Sequence, residues 1–331
     1  QMCIRDSIWT GGTSGTLDIN RVWPSGADNI AGLAAHNNFL IIFGSRQILV
    51  YSGATTPASI TLYDTVGGIG CIARDSIQNT GKDVLFLSNS GVRSFARMIV
   101  EKSAPLGDLS KNVRSDLMTI ISGETLPNIK SVYSEKEAFY LLTLPSVKQV
   151  YCFDTRVQLQ DQSFRVTTWD SIEPTALLAR KNGDVLIGKN GYVGKYSGYQ
   201  DYTSAYRMQY YTNHADLGNQ NVTSILKRLK VIVIGGSNQY VTAKWGFDFS
   251  SNYLSANMAI PTQGESEYGI AEYGANGSPV AYYADGVALQ QLQTPASGSG
   301  KVVQTGYESN INGSSMSIQK IEIQAKEGKV S

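Results

Sequence analysis

One short hairpin recurs along this chain, and it constrains the fold more than any other feature. In Lys82–Arg97 (KDVLFLSNSGVRSFAR), the run Val84–Leu87 is apolar and rich in β-formers, Asn89-Ser90-Gly91 tolerates positive φ, and Val92 and Phe95 continue beyond the turn. The pattern returns in Asn38–Gly53 (NFLIIFGSRQILVYSG) with Gly44-Ser45 at the turn. It returns again in Glu137–Thr155 (EAFYLLTLPSVKQVYCFDT), turning at Pro145-Ser146, and in Asp184–Gly198 (DVLIGKNGYVGKYSG), turning at Asn190-Gly191. The first strands start near positions 38, 83, 137 and 184. A β-hairpin repeating every 40–50 residues or so is the mark a β-propeller blade leaves in a sequence.

Composition agrees with an all-β chain. Gly (33) and Tyr (19) are plentiful, Pro (9) is scarce, and charged residues make up only 17% of 331. A net charge of +1 excludes bulk attraction to nucleic acid or to an acidic membrane and leaves local basic patches open. No apolar run is long enough for a transmembrane helix. Cys3, Cys71 and Cys152 are odd in number and widely spaced, so no metal pair or disulfide framework follows. Cys71 and Cys152 lie in apolar strands and are expected as buried thiols. Gln1–Ser7 (QMCIRDS) looks like a translated sequencing-adapter tail and is set apart from the fold, with truncation at the N-terminus expected.

Between the hairpins, further strands are expected at Ser59–Tyr63, 68–78, Asn128–Tyr133, Ser163–Trp169 and Thr175–Ala179, so each unit offers the three or four strands of a blade. Leu106, Leu109, Val113, Leu117, Ile120 and Ile121 recur at three- and four-residue steps and predict one inserted helix near 108–122. Asp108 or Ser110 is its expected N-cap and Gly123 its stop. Beyond residue 203 the blade period is lost. Ser204–Thr212, Ile225–Ile234, Tyr240–Phe249, Lys301–Ser309 and Met316–Ala325 predict longer strands, the last two paired through Asn312-Gly313. Val241, Ala243, Trp245, Phe247 and Phe249 are expected on one face. The expected architecture is a propeller-like domain over 8–203 followed by a β-sandwich-like domain, or a continuation of the propeller, over 204–331.

Chemistry-bearing motifs are sparse. His36 and His214 stand on separate segments away from Cys or carboxylate clusters, which predicts surface or loop histidines. Gly68–Ala73 (GIGCIA) matches G-x-G-x-x-A, but no helix follows to meet a pyrophosphate, so a flexible turn is expected. Asp83, Asp154 and Asp184 occupy blade-like positions where turns commonly use Asp. Lys227-Arg228-Leu229-Lys230 is the one basic cluster; in a regular strand Lys227 and Leu229 would share a face. Asn221-Val222-Thr223 and Asn312-Gly313-Ser314 match the glycosylation sequon. No catalytic, cofactor-binding or metal-binding residue is assigned.

The order of segments carries a resemblance. Phe39–Gly53, Gly68–Ser76, Val84–Val92 and Leu109–Leu117 are followed by Ala138–Leu142 (AFYLL), Val150–Thr155 (VYCFDT), Trp169 and Asn182–Gly198 (NGDVLIGKNGYVGKYSG). Then come Asp201, Tyr211-Thr212, Leu217-Gly218, Lys227, Glu272-Tyr273-Gly274 and Gly328-Lys329. In this order, over about 30–330, the chain resembles the tail hub and nozzle proteins of short-tailed phages, of the packaged-DNA stabilisation or tail tubular B type. The resemblance implies a virion tail component without enzymatic activity in this part. It also implies a homo-oligomeric ring, usually hexameric, that contacts portal, adaptor and tail fibre proteins and passes DNA without binding it specifically. A long fibre-docking or nozzle-tip insertion, expected from the resemblance, is missing. Subunit contacts are expected from the Tyr-rich loop Tyr253–Tyr283. The alternative is a carbohydrate-binding propeller or a propeller glycoside hydrolase. A lectin would repeat Trp or Asp in register, which Trp9, Trp23, Trp169 and Trp245 do not; a hydrolase would bring two carboxylates together.

Overall fold

The computed structural model describes residues 5–10, 13–19, 21–54, 59–101, 107–217, 222–236, 239–260 and 289–328, with the backbone alone for 5–17 and 101. The chain is all-β, with propeller-like blades followed by a sandwich-like region. It forms two compact units, Gln1–Tyr196 and Ser197–Ser331.

The first unit opens with the antiparallel pair β1 (Arg5–Thr10) and β2 (Thr13–Asp18). The first blade is the meander β3 (Ile30–His36), β4 (Phe39–Gly44), β5 (Gln47–Ser52) and β6 (Thr61–Gly67). The second is β7 (Gln78–Asn79), β8 (Val84–Ser88) and β9 (Gly91–Ser94), followed by helix α1 (Phe95–Glu101) and helix α2 (Arg114–Ser122). The third is β10 (Lys130–Ser134), β11 (Phe139–Leu144), β12 (Gln149–Gln158) and β13 (Phe164–Trp169). The fourth is β14 (Ala176–Ala179), β15 (Val185–Lys189) and β16 (Tyr192–Lys195).

Period-two alternation explains how these sheets stack. On the first blade, Ile41, Phe43, Ile48 and Val50 face the second blade's Val84 and Phe86 in one buried layer, while Ile42, Leu49 and Tyr51 pack against Ile19 and Trp23. The second blade turns Leu85 and Leu87 the other way, against Tyr140, Leu142, Tyr151 and Phe153 of the third. The third blade's Phe139, Leu141, Val150 and Cys152 then meet Val185 and Leu177 of the fourth. Both faces of β8 and β11 are covered, which is why their sequences are unbroken apolar runs rather than alternating ones. Burying side chains of this size contributes about 1.5–3 kcal/mol each.

Three expectations about this unit are corrected. Phe95 does not extend the second hairpin. Ser94 caps a helix there, its Oγ accepting the Arg97 N–H, and Asp83 accepts the Ala96 N–H from across the hairpin. The inserted helix is therefore the second of two among the described residues. Its α-helical part starts at Arg114 after a 3₁₀ turn at Lys111–Val113, and no side chain caps either start. Ser110 Oγ instead donates to Asp108 Oδ1 and accepts the Val92 N–H. The helix does stop at Gly123, and Leu117 and Ile121 enter the layer between the second and third blades. Finally, 68–78 is largely an irregular segment and not a strand. Cys71 N–H donates to Gly44 O, Ile72 N–H donates to Leu87 O, and Arg74–Ser76 forms a 3₁₀ turn.

The described residues of the second unit form two sheets. One has the order β17 (Tyr206–Tyr211), β24 (Val302–Ile311), β20 (Tyr240–Phe247), β21 (Leu254–Ala259), with β18 (Ala215–Asp216) also on β24. The other is centred on β19 (Ser224–Gly235), paired with β22 (Leu289–Pro295), β23 (Ser299–Gly300) and β25 (Met316–Glu327). Val241, Ala243, Trp245, Val303 and Tyr307 of the first meet Leu226, Leu229, Val231, Val233 and Leu292 of the second. The Asn312-Gly313 turn thus carries the chain from one sheet to the other, and β24 and β25 are not a hairpin. Phe249 leaves the strand face: the backbone turns through positive φ at Asp248 and Phe249, and Phe249 is exposed. Among the described residues no helix is long and apolar enough to cross a membrane.

Candidate functional site

Each residue the sequence offers for chemistry finds a local partner. Asp83 is buried. It accepts from Ser94 Oγ, Ala96 N–H and Val84 N–H, yet burial outweighs these donors and raises its pKa. Asp154 is gripped by Arg156, with Nε at 2.9 Å and Nη2 at 2.8 Å, and that hydrogen bonding holds its carboxyl low. Asp184 is held low by the Lys195 ammonium 2.8 Å away. These partners tie each carboxylate into its own blade. His36 is a buried residue at the end of β3, contrary to the surface position expected of it. His214 is exposed, its ring 4.4 Å from that of Phe249.

The glycines of Gly68–Ala73 have a packing reason. A Cβ at Gly70 would lie 2.3 Å from Gly44 O and 2.4 Å from Arg46 N, so only glycine lets this segment cross the β4–β5 turn. Burial pushes the Cys71 thiol up to about 11 and the Cys152 thiol to about 12. Both are free and buried; Cys3 lies outside the described residues. In the basic cluster a β-bulge falls between Leu226 and Arg228. It sends both Lys227 and Arg228 outward and buries Leu229, so Lys227 and Leu229 do not share a face. Among the described residues no three His, Cys, Asp or Glu converge as metal ligands. Glu272-Tyr273-Gly274, Asn221 and most of Tyr253–Tyr283 lie outside the described residues.

The surface the sequence did not single out is the outer face of the fourth blade. Register places Leu178 opposite Leu186, Leu186 opposite Lys195, and Gly188 opposite both Ala176 and Val193. These residues point away from the third blade, whose side of the sheet holds Val185 and Leu177. Leu178 is 58% exposed and Val193 77% exposed. The face is therefore an apolar strip of Leu178, Leu186 and Val193 bordered by the Asp184–Lys195 ion pair. The inner edge is sealed by aromatic rings. Trp169 and Tyr196 stack at 3°, and Phe139 stands edge-on to both.

No protein-family model and no curated protein matches the chain. Among solved structures, an exo-β-1,3-galactanase from Phanerochaete chrysosporium aligns at 8% identity and TM-score 0.26, covering 87% of this chain and 80% of its own. PorZ, a surface component of the type-IX secretion system of Porphyromonas gingivalis, aligns at 12% identity and TM-score 0.26, over 68% of this chain and 30% of its own. A Bacillus thuringiensis Cry1Da tryptic core variant aligns at 11% identity and TM-score 0.24, over 89% of this chain and 50% of its own. The expectation that the chain has no enzymatic activity is corrected here, because the first of these structures is a glycoside hydrolase. The likeness is too low to transfer a substrate or a catalytic pair.

Proposed function

We propose that the chain is a structural subunit of the tail of a short-tailed phage, a hub or nozzle component that assembles into a ring around the DNA exit path. The observation that carries this reading is the uncovered apolar strip Leu178, Leu186 and Val193 on the fourth blade. In each blade before it the central strands have both faces buried. An apolar strip edged by a self-complementary Asp184–Lys195 pair suits docking of a neighbouring β-sheet. A net charge of +1 suits a conduit, since a strongly basic bore would retain the phosphate backbone. Portal, adaptor and fibre proteins would be the partners in the virion.

The test is the mass of the purified chain by light scattering, followed by negative-stain imaging. Rings with a central hole are expected, and Leu178→Lys with Val193→Glu should reduce them to single subunits. A monomer at all concentrations overturns the reading. The rival reading, a glycan hydrolase, is tested on the same preparation by incubation with β-1,3-galactan. Galactose release above that of a buffer control would replace the tail proposal with that one.

A further inference from the structure

The second unit carries a surface that the blade stacking does not use. The sheet β17-β24-β20-β21 turns Val241, Ala243, Trp245 and Tyr307 to the core. Its opposite face is polar and aromatic. There, Tyr211 stands opposite Gly306, Lys244 opposite the same glycine, and Gly246 opposite Gln304. A Cβ on Gly306 would come within 2.4 Å of the Tyr211 ring, and one on Gly246 within 3.2 Å of the Tyr253 ring. The two rings therefore rest on bare backbone at two glycines in the middle of a sheet. Glycine at such positions weakens a strand and marks a close approach. The centroids are 5.8 Å apart, the planes at 74°, and each residue is 37% exposed.

The rings are fixed as well as seated. Tyr211 Oη donates to Glu308 Oε1 and Tyr253 Oη to Gln304 Oε1. Gln304 is oriented in turn by donating from Nε2 to Thr212 O. Glu308 also accepts from Lys244 Nζ at 2.9 Å and Arg207 Nη2 at 2.7 Å. Alongside lie the Thr242 hydroxyl and the Asn257 amide, bonded to each other. The result is a preorganised patch: two rigid aromatic surfaces beside a bonded array of donors and acceptors.

We infer that this face binds a glycan, a pyranose stacking its C–H face on Tyr211 or Tyr253 while its hydroxyls exchange hydrogen bonds with Lys244, Glu308 and Asn257. The chemistry is that of a saccharide because its two faces match: apolar C–H groups on one side and hydroxyls around the rim. Rigid tyrosines lose little conformational entropy on binding, and the ammonium of Lys244 has three donors while Glu308 uses one oxygen for two of its contacts. This inference does not rest on the tail reading.

The full chain is applied to a printed array of neutral and acidic oligosaccharides, and binding to a subset is expected. Tyr211→Ala with Tyr253→Ala should weaken the best ligand by at least about tenfold, as for loss of an aromatic anchor. Gly306→Ala, which displaces the Tyr211 ring, should do the same, whereas Tyr211→Phe, which keeps the ring, should lose only a few-fold. Should a variant fail to fold, shifts of the two tyrosine ring resonances in the unaltered chain on titration with that ligand provide the readout. No binding anywhere on the array, undiminished binding by the double variant, or unmoved tyrosine resonances would overturn the inference.

Discussion

The blades and the sandwich sheet treat their two faces differently. In β8 (VLFLS) and β11 (FYLLTL) every residue is buried, because another sheet covers each side. In β20 the residues alternate, Val241, Ala243 and Trp245 inward and Tyr240 and Thr242 outward, because only one side is covered. A strand's composition therefore records what lies on both of its faces. The fourth blade breaks this correspondence. Leu178 and Val193 have the composition of a covered face and the exposure of an open one, with Leu186 half-buried beside them. That mismatch, and not any single residue, is what supports assembly.

The comparison can be broken first at the best-covered layer. Phe86 lies between Phe43, 4.8 Å away by ring centroid, and the rest of that buried layer. Phe86→Ala should cost about 3–5 kcal/mol, the range for a truncated buried aromatic. Urea denaturation measures it. A loss below about 1 kcal/mol would mean that the layer between the first two blades is not the close-packed core described.

The two units should also differ in acid. Glu308 has its carboxyl near 2, although desolvation acts upward, because Lys244, Tyr211 and Arg207 donate to it. With an ordinary value of 4.5, its contribution is whole above about pH 4.5 and is lost as the pH falls toward 2. Asp83 runs the other way. Burial raises its folded pKa, so the folded form keeps the proton longer than the unfolded one. Its ionisation costs stability as the pH rises past that value, and acid relieves the cost. Glu308→Gln should flatten the acid loss of the second unit, and Asp83→Asn should remove the opposing trend in the first. Urea midpoints across the acid range measure both, and an unchanged slope in Glu308→Gln would sink the assignment. The effect is smaller than that of Phe86→Ala because the Glu308 network borders solvent, which screens it.

How much of this was legible follows from where each signal resides. The four hairpins were readable because turn residues and β-branched runs are local. Helix α1 was not, because its cap depends on Asp83 reaching Ala96 across the hairpin. The arch at Asn312-Gly313 was misread because a turn sequence fixes a reversal but not which sheet receives the second strand. The Lys227 bulge escaped because it is set by pairing to β25. The tyrosine pair on Gly306 and Gly246 was invisible for the same reason: Tyr211 and Tyr253 are far apart in sequence and meet only through the register of four strands.

The smallest expected effect is also the most discriminating. Leu178→Lys removes an apolar side chain that is 58% exposed, so in the single chain it should shift stability by no more than about 0.5 kcal/mol, the ordinary range for surface positions. If a second sheet docks on the strip, the same substitution places an unpaired ammonium in that contact, and burying a charge without a partner is strongly unfavourable. Urea denaturation at low concentration and light scattering at high concentration separate the two cases. A variant unchanged in both would show that the strip is an ordinary exposed edge. One equally destabilised at every concentration would show that Leu178 is packed within its own blade. Loss of assembly with unchanged unfolding is the result that makes the open face of the fourth blade an interface.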